Sequence, residues 1–460
     1  MTDADERDGA GGDDAQGAHP AGLKRLQMAT VGLRFAVGLV ITALIAAAFA
    51  TAFRGSIAAI LDLSIHRGDV PSAMARLPWW GRLGLPALGG LGVGVLVAFA
   101  ARRRGGHGVS DVMEAVVAGN VHLSMRLTLL KSAASWLAIT TGGSLGREGP
   151  LIQFGATAGQ TIGGRLSLPP DRVRVLIAAG TAAGFAAAYN TPFAAVLFVL
   201  EIVTGVFAAE VVLPTLVAVV IATAATRAAM GDQPLYGVRT FALHSPLELF
   251  AFGMLGVVAA LAAQGFMRLL AHAEEWFAHP FFRTPWRPAL GGLICGSLLI
   301  LIPEVAGNGY EPLDALIDGR YAVGFVAVLL IAKCIATTAS VSSGSPGGVF
   351  TPTMLIGGAV GFLYGTILSW VFGAHVGAAG GYALVGMAAT TAASTHAPLM
   401  AAVLGFELSG DYAIVLPLVL ATAVAMAVSR RLRHDSVYTA ELHRRGIRWR
   451  LTLDGRRIVE

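Results

Sequence analysis

Long, almost uncharged apolar runs constrain this chain more than any other feature. Stretches at 35–53, 211–226, 249–267 and 413–428 are built from Ala, Leu, Val, Ile, Met and Phe with few interruptions. An α-helix needs about 20 such residues to cross the hydrocarbon core of a bilayer, and only helices or closed barrels satisfy every backbone polar group there. Barrel strands would read as alternating segments of about 10 residues. These runs are continuous, so an all-α polytopic membrane protein is expected. Composition agrees: 55% of residues are hydrophobic and 13% charged, against about 25% charged in soluble domains. The 58 glycines permit close helix crossings and helices interrupted part-way through the membrane, so many helices should be tilted, short or broken.

Residues 1–24 are acidic and Gly-rich without an apolar core, which predicts a disordered tail and not a signal peptide. The first membrane segment is expected to begin near Leu23. Cys295 and Cys334 fall inside apolar runs without ligand-like spacing and read as packing residues, so no disulfide, metal or cofactor is expected. Arginines crowd the C-terminal stretch, and Lys24, Arg25 and Arg34 flank the first helix. Both termini are therefore expected in the cytoplasm. The net charge of +5 is then topological signal and contact with the lipid bilayer, and no nucleic-acid partner is expected.

The chain also repeats itself. In "TPFAAVLFVLE" (191–201) and "APLMAAVLGFE" (397–407), Pro192 and Pro398 each precede a glutamate, Glu201 and Glu407, by nine positions. Gly180 and Gly386 stand twelve residues before those prolines, at the same offset of 206. Upstream, "GSLGREGPLIQFG" (143–155) matches "GSPGGVFTPTMLIGG" (344–358). Equivalent Gly/Pro interruptions in two halves are the mark of a transporter built from repeats. The expected organisation is a cytoplasmic tail (1–24), a first repeat (25–230), a second repeat (231–435) and a short basic cytoplasmic tail (436–460).

The charged pair in "GREGP" sits inside this pattern. Gly142, Gly143, Gly146 and Gly149 make the backbone loop-like, and Pro150 suits the first turn of a helix. The unpaired amides and positive dipole end of such a helix form an anion site in a low-dielectric medium. The second copy places the amides around Val349 and Phe350 at another helix start. Two such ends aimed at one point hold a dehydrated anion without a full positive charge, which would bind it too tightly to release. Glu148 would compete with a bound anion for those donors, and its protonation would free them. Taken alone, Arg147 and Glu148 also fit a surface ion pair in an interfacial loop.

"GREGP" (146–150), "GGVFTP" (347–352), "GHGVSDVMEA" (106–115), "TPFAAVLFVLE" and "SVYTAELHRRGI" (436–447) together resemble, in order and spacing, the CLC family of chloride channels and proton-coupled chloride exchangers. The likeness covers about residues 30–447 and belongs to the bacterial type without CBS domains. It implies an inverted repeat of tilted, broken helices, and a homodimer in the bacterial inner (plasma) membrane whose subunits each carry an anion path. It implies that Glu148 is the protonatable gate, that Gly146, Arg147 and Gly149 form the anion-site loop, and that the Val349 and Phe350 amides line the central anion site. Tyr438 matches the tyrosine that closes that site from the cytoplasmic side; without the resemblance it would read as an interfacial aromatic anchor.

Three departures qualify the match. His107 stands where the family has Ser, or Pro in nitrate-preferring members; an imidazole can donate to an anion, or merely cap a loop. Glu201 is followed by Ile202, so the acid that collects protons from the cytoplasm in well-coupled exchangers is missing, and Glu201 itself reads as structural. Too few residues follow Tyr438 for CBS modules, so nucleotide regulation is not expected. The expected function is chloride transport, voltage-gated-channel-like; the alternative is a chloride/proton antiporter with a non-standard internal proton route, or nitrate-tolerant transport. A distant alternative is an intramembrane enzyme with Ser342, Ser343 or Ser345 as nucleophile and His107 or His396 as base; an enzyme is not the expected reading.

Overall fold

The computed structural model describes residues 18–65, 69–101, 108–119, 121–237, 239, 241, 243, 245–282, 285–447, 449–451 and 457–459. Nine α-helices fill the first part: α1 (Ala18–Ile65), α2 (Val70–Arg76), α3 (Trp79–Ala101), α4 (Val109–Val117), α5 (Met125–Thr140), α6 (Glu148–Arg165), α7 (Pro170–Tyr189), α8 (Pro192–Phe198) and α9 (Ala209–Met230). The second part carries α10 (Glu248–Ala278), α11 (Trp286–Leu301), α12 (Tyr310–Ile317), α13 (Val323–Ser342), α14 (Phe350–Phe372), α15 (Ala379–Thr395), α16 (Pro398–Ser409) and α17 (Val415–Leu432). A short α18 (Thr439–Arg444) and a hairpin of Trp449–Leu451 with Arg457–Val459 end the described chain. Helix α1 already runs from Ala18, inside the stretch expected as tail, and residues 1–17 lie outside those described.

Seven helices, α1, α3, α9, α10, α13, α14 and α17, are long and apolar enough to cross a membrane. Their outward faces carry Leu44, Leu261, Ile331, Ile367 and Leu416 in the open, as a chain solvated by lipid requires. This is an integral multi-pass membrane protein. The interior is held by small residues: α7 is buried from Leu176 to Tyr189 and α15 from Gly380 to Thr395, and both are mostly Ala, Gly and Thr. A Cβ on Gly180 would lie 2.2 Å from the Gly155 carbonyl oxygen, and one on Gly386 would lie 2.5 Å from that of Gly357. Helices α6 with α7, and α14 with α15, can cross backbone to backbone only because nothing protrudes there.

The main packing relations of the first half return in the second. Helix α1 packs on α6, α7 and α9, as α10 does on α14, α15 and α17; α5 packs on α3 and α6, as α13 does on α11 and α14. The correspondence reaches single dihedrals. Asn190 and His396 end α7 and α15 with the same left-handed backbone, φ 59° and ψ 33°, and Pro192 and Pro398 start the next helix two residues later. The halves then cap one another. The Glu201 carboxylate accepts from the Leu399 and Met400 amides at the start of α16, at 3.2 and 2.6 Å. The Glu407 carboxylate accepts from the Phe193 and Ala194 amides at the start of α8, at 3.0 and 2.7 Å. Each glutamate thus fills the orphan donors of the partner repeat's helix.

Candidate functional site: a carboxylate seated on a helix start

The same two-fold logic builds the centre of the molecule. The loops that lead into α6 and α14 meet head-on: the Gly146 amide donates to the Gly348 carbonyl at 2.7 Å and the Gly348 amide to the Gly146 carbonyl at 2.9 Å. Ser144 ties the approach down, its hydroxyl 2.9 Å from that of Thr337 and its amide donating to the Ser340 hydroxyl at 3.2 Å. Both helix starts are therefore fixed beside each other inside the protein.

Glu148 is the first residue of α6 and is 2% exposed. Its side chain leaves its own helix and sits on the other one. Oε1 accepts from the Phe350 amide at 3.0 Å and the Thr351 amide at 3.2 Å, and Oε2 accepts from the Thr351 hydroxyl at 2.9 Å. These donors belong to the first turn of α14, where amides have no intrahelical partner and the dipole favours an anion. Glycine on both flanks makes the fit possible: a Cβ on Gly146 or on Gly348 would fall 2.1 Å from Glu148 Oε1. Gly149 faces Gly348, with 3.5 Å from a built Cβ to its nitrogen.

The two motifs singled out in the sequence are thus in contact, one residue off the expected register. Val349 caps α14, and the engaged amides are those of Phe350 and Thr351. Helix α6 starts at Glu148, two residues before Pro150. The Phe350 ring is buried against Phe185 and Tyr189. Arg147 does not pair with Glu148; its guanidinium lies 4.6 Å over the Tyr310 ring, so the surface ion-pair reading of the motif fails in geometry.

A cavity of about 580 Å³ reaches this point from one side and is lined by Ser110, Gly149, Pro150, Gly347, Gly348, Val349 and Tyr438. Tyr438 meets Phe198 edge-on at 6.4 Å, and its carbonyl accepts from the Ser110 hydroxyl at 3.0 Å. His107 lies outside the described residues. Sequence reasoning did not single out the cations of this cavity: Lys131, Arg433, Arg444 and Arg445 all line it. Arg444 pairs with Glu274, and Arg445 with Asp111 and Glu441. Lys131 had a visible signal, a lone ammonium within the apolar stretch of α5. Thr351 and Tyr189 were also missed.

Among the described residues of the enzyme alternative, Ser345 lines the large cavity and His396 a different one. Ser342 and Ser343 donate to the main-chain carbonyls of Leu270 and Ser340, and His396 contacts Ser429.

A family model described as voltage gated chloride channel matches residues 89–430. A ClcB-like protein of Ralstonia nicotianae is 38% identical over 382 residues, covering 82% of this chain and 89% of that protein. The voltage-gated ClC-type chloride channel ClcB of Salmonella typhimurium is 35% identical over 401 residues, 86% of this chain and 95% of that one. Among solved structures, a slow cyanobacterial Cl−/H+ antiporter shares the fold with a TM-score of 0.80 at 24% identity, covering 90% of this chain and 98% of that chain.

Proposed function

The chain belongs to the voltage-gated chloride channel (CLC) family, and from that premise we propose that it moves chloride across a bacterial inner membrane along a pathway plugged by the Glu148 side chain. The observation that carries this reading is the Glu148 carboxylate on the Phe350 and Thr351 amides. Carboxylate and chloride ask for the same donors, so the site is closed to an anion while the side chain is there. Protonation removes the charge that holds it on the helix end and lets it leave. In this reading Gly146, Arg147 and Gly149 form the loop of the anion site, and Val349, Phe350 and Tyr438 line the path with His107. Arg444 and Arg445 of the large cavity are offset by Glu274, Asp111 and Glu441, so Lys131 and Arg433 carry the positive field that draws anions in.

A chloride/proton antiporter is the second reading, and a separate observation favours it. Ile202 removes the expected proton acceptor, yet a cavity of about 300 Å³ gathers Glu201, His396, His434, Asp435 and His443. Those groups could feed protons inward by a route of their own. Both termini are proposed to lie on the cytoplasmic side, a reading the flanking arginines support. A homodimer is supported by the outward apolar residues at equivalent places of both repeats, Phe193 with Leu399 and Leu213 with Val419.

The test is flux from chloride-loaded liposomes with simultaneous pH recording. Chloride efflux is expected from the purified protein, and its absence would remove the proposal. Uphill proton movement driven by chloride would eliminate the pure channel; downhill chloride flux with no proton movement would eliminate the antiporter.

A further inference from the structure

We infer that Thr351 is an anion-coordinating residue of this pathway, its hydroxyl oriented as a donor by Tyr189. The inference rests on the chloride-transport reading above and adds a ligand to it. Thr351 is 0% exposed and Tyr189 1%, and their hydroxyl oxygens are 2.9 Å apart. Each hydroxyl has a single proton. Ionised Glu148 has none, so the 2.9 Å contact to its Oε2 must use the proton of Thr351. The Tyr189 hydroxyl must then donate to the Thr351 oxygen, which locks the Thr351 proton toward the carboxylate. Tyr189 is itself held by ring contacts with Phe185, Tyr310 and Phe350.

This arrangement departs from the habit of threonines in this fold. Thr353, Thr366 and Thr391 turn their hydroxyls back onto the carbonyls four residues earlier, which satisfies the group locally and leaves nothing for a ligand. Thr351 lies in the first turn of α14 and points its proton into the site instead. When the Glu148 side chain leaves, two amides and one pre-aimed O–H remain without partners in a buried place. Leaving three donors empty is costly, and a dehydrated halide satisfies all of them. A hydroxyl donor also favours anions that accept hydrogen bonds strongly, so Thr351 should rank chloride above iodide more steeply than amides alone.

Calorimetric titration of the purified Glu148→Ala protein with chloride and with iodide tests this. Removing the competing carboxylate leaves the site open to halide. Adding Thr351→Val, which keeps the shape and deletes the proton, should weaken chloride binding about tenfold, the size of one hydrogen bond to a charged group, and iodide less. Thr351→Ser should restore chloride affinity to within about twofold, and Tyr189→Phe should lower it by a few fold. Chloride affinity unchanged by Thr351→Val, in a parent that binds chloride, overturns the Thr351 assignment and leaves the transport reading standing. A parent that neither binds nor moves chloride overturns both.

Discussion

At the scale of single residues, the gate is a problem of volume as much as of charge. Gly348 is a useful probe because the three heavy atoms nearest to a Cβ built there all belong to Glu148, with Oε1 at 2.1 Å. Gly348→Ala should therefore expel the carboxylate and raise chloride flux toward that of Glu148→Ala. In the double variant the clash with the Glu148 carboxylate is gone, so Gly348→Ala should have little further effect on a Glu148→Ala background. Additive effects in a liposome flux cycle would show that Gly348 acts on something other than the gate. Glu148→Ala itself is expected to keep anion flux while removing its dependence on pH; retained dependence would take the gating role away from Glu148. The glycines and the glutamate were legible in the sequence because their residue types are so restrictive. The register of the donors was not. Which amides a first turn presents depends on where the cap falls, and here the Gly146–Gly348 bridge, a long-range contact, sets it. Tyr189 and Thr351 gave no signal for a related reason: a hydroxyl in an apolar helix reads as back-bonded until its neighbour across the repeat is known.

At the scale of elements, the glutamates that mark the repeat are reciprocal caps. The matched spacing from Pro192 to Glu201 and from Pro398 to Glu407 exists because each carboxylate must reach the other repeat's first turn. Glu201→Gln and Glu407→Gln should thus lower stability by similar amounts, about 1–3 kcal/mol each, read as shifts in thermal unfolding in detergent. A Glu201→Gln variant that kept full stability but lost proton movement would instead mark a proton carrier. One asymmetry breaks the pattern. The left-handed Gly205 comes four positions after Glu201, but Gly410 only three positions after Glu407. The first repeat absorbs the extra residue in a wide π-helical turn over Val199–Thr204. That turn carries Ile202, the position where the resemblance led one to expect an acid. Sequence alignment of the halves showed the shared spacing, but a bulge of one residue has no composition of its own to betray it.

At the scale of the whole molecule, the gate is assembled from both repeats of the chain. The Glu148 carboxylate, its three donors on α14 and the cavity lined by Gly149, Val349 and Tyr438 draw on both repeats. The surface proposed for dimer formation lies elsewhere, on α8, α9, α16 and α17, where Phe193, Leu213, Val217, Leu399, Val419 and Leu420 are exposed. Those side chains face outward while the buried sides of the same helices pack on α7 and α15. Disrupting association should therefore leave transport intact. Introducing Val217→Trp with Leu420→Trp adds bulk to both halves of that face without touching the gate, and should convert a dimer in cross-linking and size-exclusion measurements into a monomer. Flux per chain in liposomes should stay within about twofold of the parent, because the donors that hold Glu148 lie on α14, away from the substituted face. Loss of flux together with the dimer, in a variant that still unfolds cooperatively at the parent temperature, would mean that the pathway is shaped by the neighbouring subunit and that two repeats in one chain are not enough.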